Sequence, residues 1–234
     1  MKKTKRILCV ALAALMLFGL GAPTVSAAPL AQRAELELAT VELLDMDWPF
    51  TDVGPNDAIF EAVAFMYSFE LMLGTSETTF SPNRNLTRGM VTTILWRIAR
   101  DFSLDEIDPV PFSPIFSDVR DGRWYTEAVM WASEWDIVEG VGGGRFAPTN
   151  DITREQLAVM IHRFEQLFWV DGDVSVPGNA PQAPSGTSSW AQEAMRWATF
   201  HGFTNTSNPR SPASRGETAE FVYRYMLEYF FNID

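Results

Sequence analysis

The sequence predicts an all-α protein made of three tandem helix-loop-helix repeats. Apolar residues recur at helical spacing in paired segments, and a 66-residue period is visible in the chain. Phe50–Val53 (FTDV) returns as Phe116–Val119 (FSDV), and 11 of the 39 positions from 50 to 88 are identical to those from 116 to 154. One pair of short helices buries little apolar surface, so we expect the second helices to pack together in a pseudo-threefold bundle.

The chain opens with a segment typical of a secretory signal peptide. Four cations in the first six residues precede an apolar run from Ile7 to about Leu20, and Val25-Ser26-Ala27 fits a cleavage site. We expect residues 1–27 to be removed on export; the alternative, an uncleaved membrane anchor, is disfavoured because the run is short for a span. Residues 28–49 form an N-terminal segment in which the sequence favours a short helix.

The charge and the cysteine count exclude several classes of partner. Loss of the four signal-peptide cations changes the net charge from −12 to −16 and removes the single cysteine. An acidic surface repels nucleic acid and anionic membranes, so we expect neither as a partner of the mature chain. Disulfides, a thiol nucleophile and cysteine-based metal sites are excluded as well. Any anionic ligand must be bound by local cations.

The repeats are separated by segments rich in proline or small polar residues. The first two repeats cover residues 50–102 and 116–170, with linkers at 103–115 and 171–187. A degenerate third repeat at 188–234 keeps the Trp-x-x-Glu-Ala pattern but lacks the Phe-x-Asp-Val opening and has a shorter loop.

Each repeat is predicted to contain a first helix, a loop and a second helix. The first helices are expected at about 58–71, 124–138 and 191–203. The second helices are expected to begin at Thr-Arg or Ser-Arg, because Thr153 with Gln156 and Ser214 with Glu217 fit capping boxes. This register makes an arginine the first helical residue in each repeat, namely Arg88, Arg154 and Arg215.

An arginine at a helix start needs an explanation. The helix dipole disfavours a cation there by roughly 0.3–1 kcal/mol, and three cases in one register suggest a purpose other than helix stability. Free N–H groups together with a guanidinium could bind a carboxylate or phosphate. Alternatively, each arginine pairs with an acidic residue of a neighbouring repeat, such as Glu61, Glu127 or Glu193, and the sequence leaves both hypotheses open.

Other polar and aromatic residues reduce the number of functions that the sequence allows. Trp124 and Trp190 open the first helices of two repeats, where an indole could stack on a sugar ring or fill a core. His162 and His201, the only histidines, show no ligand spacing. The glutamates recur in every repeat, which fits a structural role better than a unique acid/base pair. We therefore predict a protein that is not an enzyme and has no metal or cofactor.

These motifs resemble the S-layer homology (SLH) family. Its pattern is an aromatic-x-Asp-Val opening, a Trp/Glu-Ala helix, a Gly-x-x-x-Gly-x-Phe-x-Pro loop and an Ile-Thr-Arg-Ala-Glu helix start. The best match is FSDVRDGRWYTEAVMWASEWDIVEGVGGGRFAPTNDITREQLAVMIHRF, and the resemblance covers about residues 50–230. It departs from the pattern at Met90, at Glu155-Gln156 and at Gly216.

The resemblance implies a function and a set of contacts. SLH modules usually occur in threes and hold exported proteins non-covalently to secondary cell-wall polysaccharides, often pyruvylated, in grooves between repeats. A polysaccharide-binding role is thereby implied for Arg88, Arg154 and Arg215, with Trp124 and Trp190 as candidate sugar contacts. We expect a secreted anchor at the cell wall or cell surface; alternatives are a protein-binding scaffold at the surface and a cell-wall glycoside hydrolase.

Overall fold

The computed structural model describes residues 48–102, 113, 115–168 and 176–230. The predicted signal peptide, nearly all of the N-terminal segment with its expected helix, most of the first linker and the start of the second lie outside the described residues. The described residues form α-helices joined by loops and isolated bridges, which confirms the all-α class.

Six α-helices occur in the described ranges. They are α1 (Phe60–Ser68), α2 (Arg88–Phe102), α3 (Thr126–Glu134), α4 (Arg154–Phe168), α5 (Gln192–Phe200) and α6 (Arg215–Phe230), with a 3₁₀ turn at Ser189–Ala191 before α5. The second helices α2, α4 and α6 begin at the predicted arginines. None of the described helices is both long and apolar enough to cross a membrane.

The first helices α1, α3 and α5 are shorter than predicted. Each is followed after one or two residues by a residue with positive φ: Glu70 at 56°, Asp136 at 54° and Gly202 at 71°. This left-handed residue turns the chain back, and the carbonyl of Ala132 then accepts the N–H of Ile137 at 2.8 Å. The apolar residues after the turn are packed but not helical. Because hydrophobic periodicity does not reveal the turn, it predicted first helices that are too long.

The described chain divides into two compact units. The smaller contains the residues up to Pro82 together with those from Ala219 onward. Within it, Phe65 of α1 packs on Tyr223 of α6 with ring centroids 5.3 Å apart. An aromatic cluster completes this unit, formed by Trp48, Phe50, Phe60, Tyr67 and Phe80.

The larger unit, residues 83–218, contains α2 to α5 and the start of α6. In it α3 packs on α2, α5 packs on α4, and α2 also contacts α4. In both pairs, a shorter helix therefore packs on the longer helix that precedes it in the chain. The contact between α2 and α4 agrees with the expectation that second helices pack together.

A ring of backbone hydrogen bonds joins the segments that precede α2, α4 and α6. Leu86 N–H donates to Ala213 O (3.0 Å), Ala213 N–H to Ile152 O (2.8 Å), and Ile152 N–H to Leu86 O (2.9 Å). All three residues are fully buried. The ring fixes the three helix starts, each one or two residues further on, within the larger unit.

The aspartate of the Phe-x-Asp-Val motif clamps a strained turn. The Asp118 carboxylate accepts the N–H groups of Phe146 and Ala147, both at 2.8 Å. Ala147 has a φ of 59°, which is costly for a residue with a Cβ, so the clamp compensates for the strain. The first repeat has the same arrangement, in which Asp52 accepts from Phe80 and Ser81.

Candidate functional site

The backbone N–H groups at the helix starts are already bonded. Arg88 N–H donates to Asn150 O and Gly89 N–H to Pro148 O, both at 2.9 Å. The same pattern recurs at α4, where Arg154 and Glu155 donate to Ser211 and Pro209. The prediction that free N–H groups would receive an anion is therefore wrong for these two helices. The carbonyls also offset the positive end of the dipole, so a cation is tolerated there.

The predicted capping boxes are confirmed. Thr153 and Gln156 exchange hydrogen bonds at 3.2 and 3.3 Å, and Ser214 and Glu217 do so at 2.8 and 3.2 Å. At α2 only the Thr87 hydroxyl contributes, accepting from Met90 N at 3.4 Å. These caps set the register that places an arginine first in each second helix.

Arg88 is buried, with only 5 % of its surface exposed. Its Nε donates to Phe146 O at 2.9 Å, its Nη2 donates to Glu139 O at 2.7 Å, and its guanidinium lies 4.6 Å from the Phe146 ring centroid. Burial lowers the pKa of Arg88 to about 10, and the nearby Asp118 carboxylate opposes that shift. The side chain therefore remains charged at neutral pH and holds the loop of the second repeat.

Arg154 is more accessible. Its side chain is 22 % exposed, and its Nη2 and Nε lie 2.6 and 3.0 Å from Glu217 Oε1. A longer bond, 3.4 Å, reaches Asn208 O. Burial raises the pKa of Glu217, but hydrogen bonds from Ser214 and Arg154 outweigh it and leave the pKa below its usual range. The partner is thus the capping-box glutamate of the next repeat, and none of the three glutamates that sequence reasoning suggested.

The third arginine, Arg215, is 7 % exposed, and its N–H donates to Arg84 O at 2.8 Å. The matched arginines therefore differ in exposure, although their local sequences are alike: Arg88 and Arg215 are buried, and Arg154 is partly exposed.

Trp124 and Trp190 are exposed, at 59 % and 57 %, so neither indole fills a core. Trp124 lies against the start of α2, where a Cβ on Gly89 would come within 3.4 Å of the indole and 2.9 Å of Pro148 O. A larger residue than glycine at position 89 would therefore displace the indole or the backbone beside it.

Trp190 is positioned by hydrogen bonds that hold the residues just before it. The Glu155 carboxylate is buried and accepts both the N–H (2.9 Å) and the hydroxyl (2.8 Å) of Ser188. Ser188 precedes the 3₁₀ turn that carries Trp190. Glu155 of α4 therefore fixes the segment that leads into α5.

A groove of about 390 Å³ lies within the larger unit, beside α4; we call it the α4 groove. Its lining combines the indole of Trp190, two arginines and the glycine loop, and includes Arg88, Glu139, Gly140, Gln156, Arg163 and Trp190. At the groove edge Arg163 Nη2 lies 2.8 Å from Glu139 Oε1. An aromatic face next to guanidinium groups suits a sugar that carries an acid.

The glycine loop can pack on Arg145 and Phe116 only because residue 140 has no side chain. A Cβ on Gly140 would lie 2.7 Å from Arg145 O and 3.0 Å from the Phe116 ring. Substitution would therefore force the loop away from the phenylalanine of the Phe-x-Asp-Val motif and disturb the groove wall.

Arg163 and Glu139 are site residues that sequence reasoning missed. A signal for Arg163 was available, because Gln156, Met160 and Arg163 follow i, i+4, i+7 spacing on one face of α4. All three line the α4 groove. Glu139 had no local signal, since its role depends on α4, which follows it in the chain.

The described residues contain no group of three or more His, Cys, Asp or Glu side chains that could hold a metal ion. His162 is buried and packs on Trp197 with centroids 5.0 Å apart, away from any such cluster in that part of the chain.

Comparison with known proteins identifies relatives of this sequence. The chain is 26 % identical over 184 residues to an amylopullulanase of Thermoanaerobacterium thermosulfurigenes, covering 76 % of the chain and 10 % of that enzyme. It is 32 % identical over 154 residues to an endoglucanase of Bacillus sp. (strain KSM-635), covering 64 % and 15 %. A cellulosome-anchoring protein of Acetivibrio thermocellus is 26 % identical over 152 residues, covering 62 % and 33 %. The chain thus spans a small part of these relatives.

The family comparison finds a match within each of the first two repeats. The model of the S-layer homology domain matches residues 49–89 and 115–158, each of which runs from a Phe-x-Asp-Val motif to the start of a second helix. Together with surface-layer and cell-surface relatives, this match indicates a location at the cell surface or in the cell wall. An S-layer homology domain is thus found at two segments of this chain, residues 49–89 and 115–158.

Proposed function

We propose that this protein is a non-covalent cell-wall anchor that binds an acidic, pyruvate-bearing secondary cell-wall polysaccharide. The observation that carries the proposal is the α4 groove, in which the exposed Trp190 and the partly exposed Arg163 line one cavity of about 390 Å³, with the buried Arg88 in its wall. A pyruvate ketal combines a sugar ring with a carboxylate, and these are the two chemistries that the groove can bind.

The five predicted contact residues divide by accessibility. Trp124 and Trp190 are exposed enough to stack on sugars, and Arg154 is partly exposed. Arg88 and Arg215 are buried, so we assign them chiefly to holding the binding surface in shape. Arg154 does not line the α4 groove, so it would contact the glycan outside that groove. Arg154→Ala should weaken wall binding more strongly than Arg215→Ala does in protein that remains folded.

We also propose that residues 188–234 form a third repeat and that the three repeats are arranged with pseudo-threefold symmetry. The cyclic hydrogen bonds among Leu86, Ile152 and Ala213 support this arrangement, because each repeat contributes one equivalent residue. The capping box at Ser214 and the Trp190 position support the assignment of the third repeat.

Sedimentation with purified cell walls tests the function. The protein should sediment with intact walls and remain in solution with walls stripped of secondary polysaccharide or treated to remove pyruvyl groups. Trp190→Ala should weaken binding by roughly tenfold, the value of about 1–1.5 kcal/mol for one stacked aromatic. Trp135→Ala is the matched control, because Trp135 is 52 % exposed but does not line the α4 groove.

Two outcomes would contradict the proposal. Equal sedimentation with stripped and intact walls would show that the polysaccharide is not the ligand. Retention that requires a second surface protein would favour the scaffold alternative instead.

A further inference from the structure

Glu139 connects the two arginines of the α4 groove. Its backbone oxygen accepts from Arg88 Nη2 at 2.7 Å, while its carboxylate Oε1 lies 2.8 Å from Arg163 Nη2. The buried arginine thus fixes the backbone of Glu139, and the carboxylate of the same residue rests on the second arginine at the groove edge.

The two contacts differ in how easily a ligand could replace them. Arg88 is buried and bonded to backbone carbonyls, which cannot leave without unfolding the loop. The Arg163 side chain is 32 % exposed, and that of Glu139 is 74 % exposed. An ion pair this exposed contributes about 0–1 kcal/mol, so an incoming carboxylate can displace Glu139 at little cost.

We infer, resting on the proposed function, that Arg163 is the residue that binds the ligand's carboxylate and that the carboxylate of Glu139 stands at the position which the ligand's carboxylate would take. Arg163 and Trp190 line the same cavity, so a sugar stacked on the indole can direct its acid to the guanidinium. Binding is then an exchange of one carboxylate for another on Arg163. Glu139 acts as an internal competitor that lowers the affinity for acidic glycans.

This exchange predicts effects of opposite sign for the two members of one ion pair. Glu139→Gln should bind the acidic glycan about two- to fivefold more tightly, because the competitor is removed. Arg163→Gln should bind about tenfold or more weakly, because a charge-assisted hydrogen bond is lost. Arg163→Lys should restore part of the affinity, since it keeps the charge but not the planar fork.

Calorimetry with soluble pyruvylated wall polysaccharide, before and after removal of its pyruvyl groups, measures these changes. Arg224→Gln and Glu220→Gln provide the matched control, because they break an exposed ion pair of similar length, 2.7 Å, that does not line the groove. Both controls should bind as the unaltered protein does. Thermal unfolding of each variant verifies that the fold is intact.

The outcomes separate this inference from the function on which it rests. If the unaltered protein fails to bind the pyruvylated polysaccharide, the proposed function is wrong. If it binds but Arg163→Gln binds equally well, or Glu139→Gln binds more weakly, the assigned roles of this pair are wrong and the function stands. Opposite shifts that vanish with depyruvylated polysaccharide support the exchange.

Discussion

The starts of α2 and α4 share a sequence motif yet differ in structure. We call the contacts of Arg88 and Gly89 with residues 146–150 the first junction, and those of Arg154 and Glu155 with residues 208–211 the second junction. In both, the first two N–H groups of the helix bond to carbonyls of the following repeat. The backbone pattern is therefore the same.

The side chains diverge because the facing loops differ. At the first junction the glycine loop folds over Arg88, presents two carbonyls and is clamped by Asp118. At the second junction the proposed third repeat has a shorter loop and no Phe-x-Asp-Val aspartate. Arg154 accordingly stays partly exposed and pairs with Glu217. The contacts of each arginine are therefore determined by the loop that faces it and not by the neighbouring residues in the sequence.

The largest effect that we expect is a difference in stability when the arginine of each junction is replaced by alanine. Arg88→Ala leaves the buried Phe146 carbonyl without its donor and should lower the free energy of unfolding by about 2–4 kcal/mol. Arg154→Ala removes an exposed ion pair and should cost less than about 1 kcal/mol. Denaturant unfolding measures both, and equal losses would mean that the junctions are energetically equivalent.

The sequence could predict features that depend on local signals. The first residue of each second helix and the capping boxes at Thr153 and Ser214 rest on residues within four positions of one another, and the repeat rests on a direct comparison of two sequence segments. The matched arginines and tryptophans were found in the same way. Their accessibility was beyond sequence reasoning, because burial of Arg88 depends on a loop more than 50 residues away.

Removal of the clamp should have the next largest effect. Asp118→Ala leaves the Phe146 and Ala147 N–H groups without their acceptor and no longer supports the positive φ of Ala147. We expect a loss of about 2 kcal/mol in the free energy of unfolding. Asp118→Asn, which keeps one acceptor oxygen, should fall between Ala and the unaltered protein. An unchanged unfolding midpoint for Asp118→Ala would show that the clamp does not stabilise the first junction.

A smaller effect should distinguish the junctions by their response to salt. A double-mutant cycle of Arg154→Ala and Glu217→Ala should give a coupling of about 0.2–1 kcal/mol that falls in 1 M NaCl, because an exposed ion pair is screened. The cycle is needed because Glu217 also caps α6. The cost of Arg88→Ala should hardly change with salt, since its bonded partners are uncharged carbonyls. A salt-independent coupling at the second junction would contradict the assignment of an exposed ion pair.

The smallest effect that we expect is a loss of stability at acidic pH, and it should be confined to α4 and α5. His162 of α4 packs on Trp197 of α5, and its Nε2 has no hydrogen-bond partner among the described residues. Burial lowers the pKa of His162 below its usual value; Glu193 opposes this shift and Arg163 adds to it. The unfolded chain therefore takes up the proton first, so stability is complete above about pH 6.5 and declines as the pH falls toward the folded pKa.

The residue of α2 at the position equivalent to His162 is Trp96, which does not titrate. The regions around the two junctions should therefore also differ in their response to pH. Hydrogen exchange at pH 5 should show α4 and α5 losing protection before α2 and α3, and His162→Leu should abolish that difference. Glu217 has a lowered pKa that acts with the same sign, but only below about pH 4.5, so its contribution falls in a separate window. If α2 and α3 lose protection together with α4 and α5 at pH 5, acid sensitivity does not reside in the buried histidine, because it would then be shared by a helix pair that lacks one.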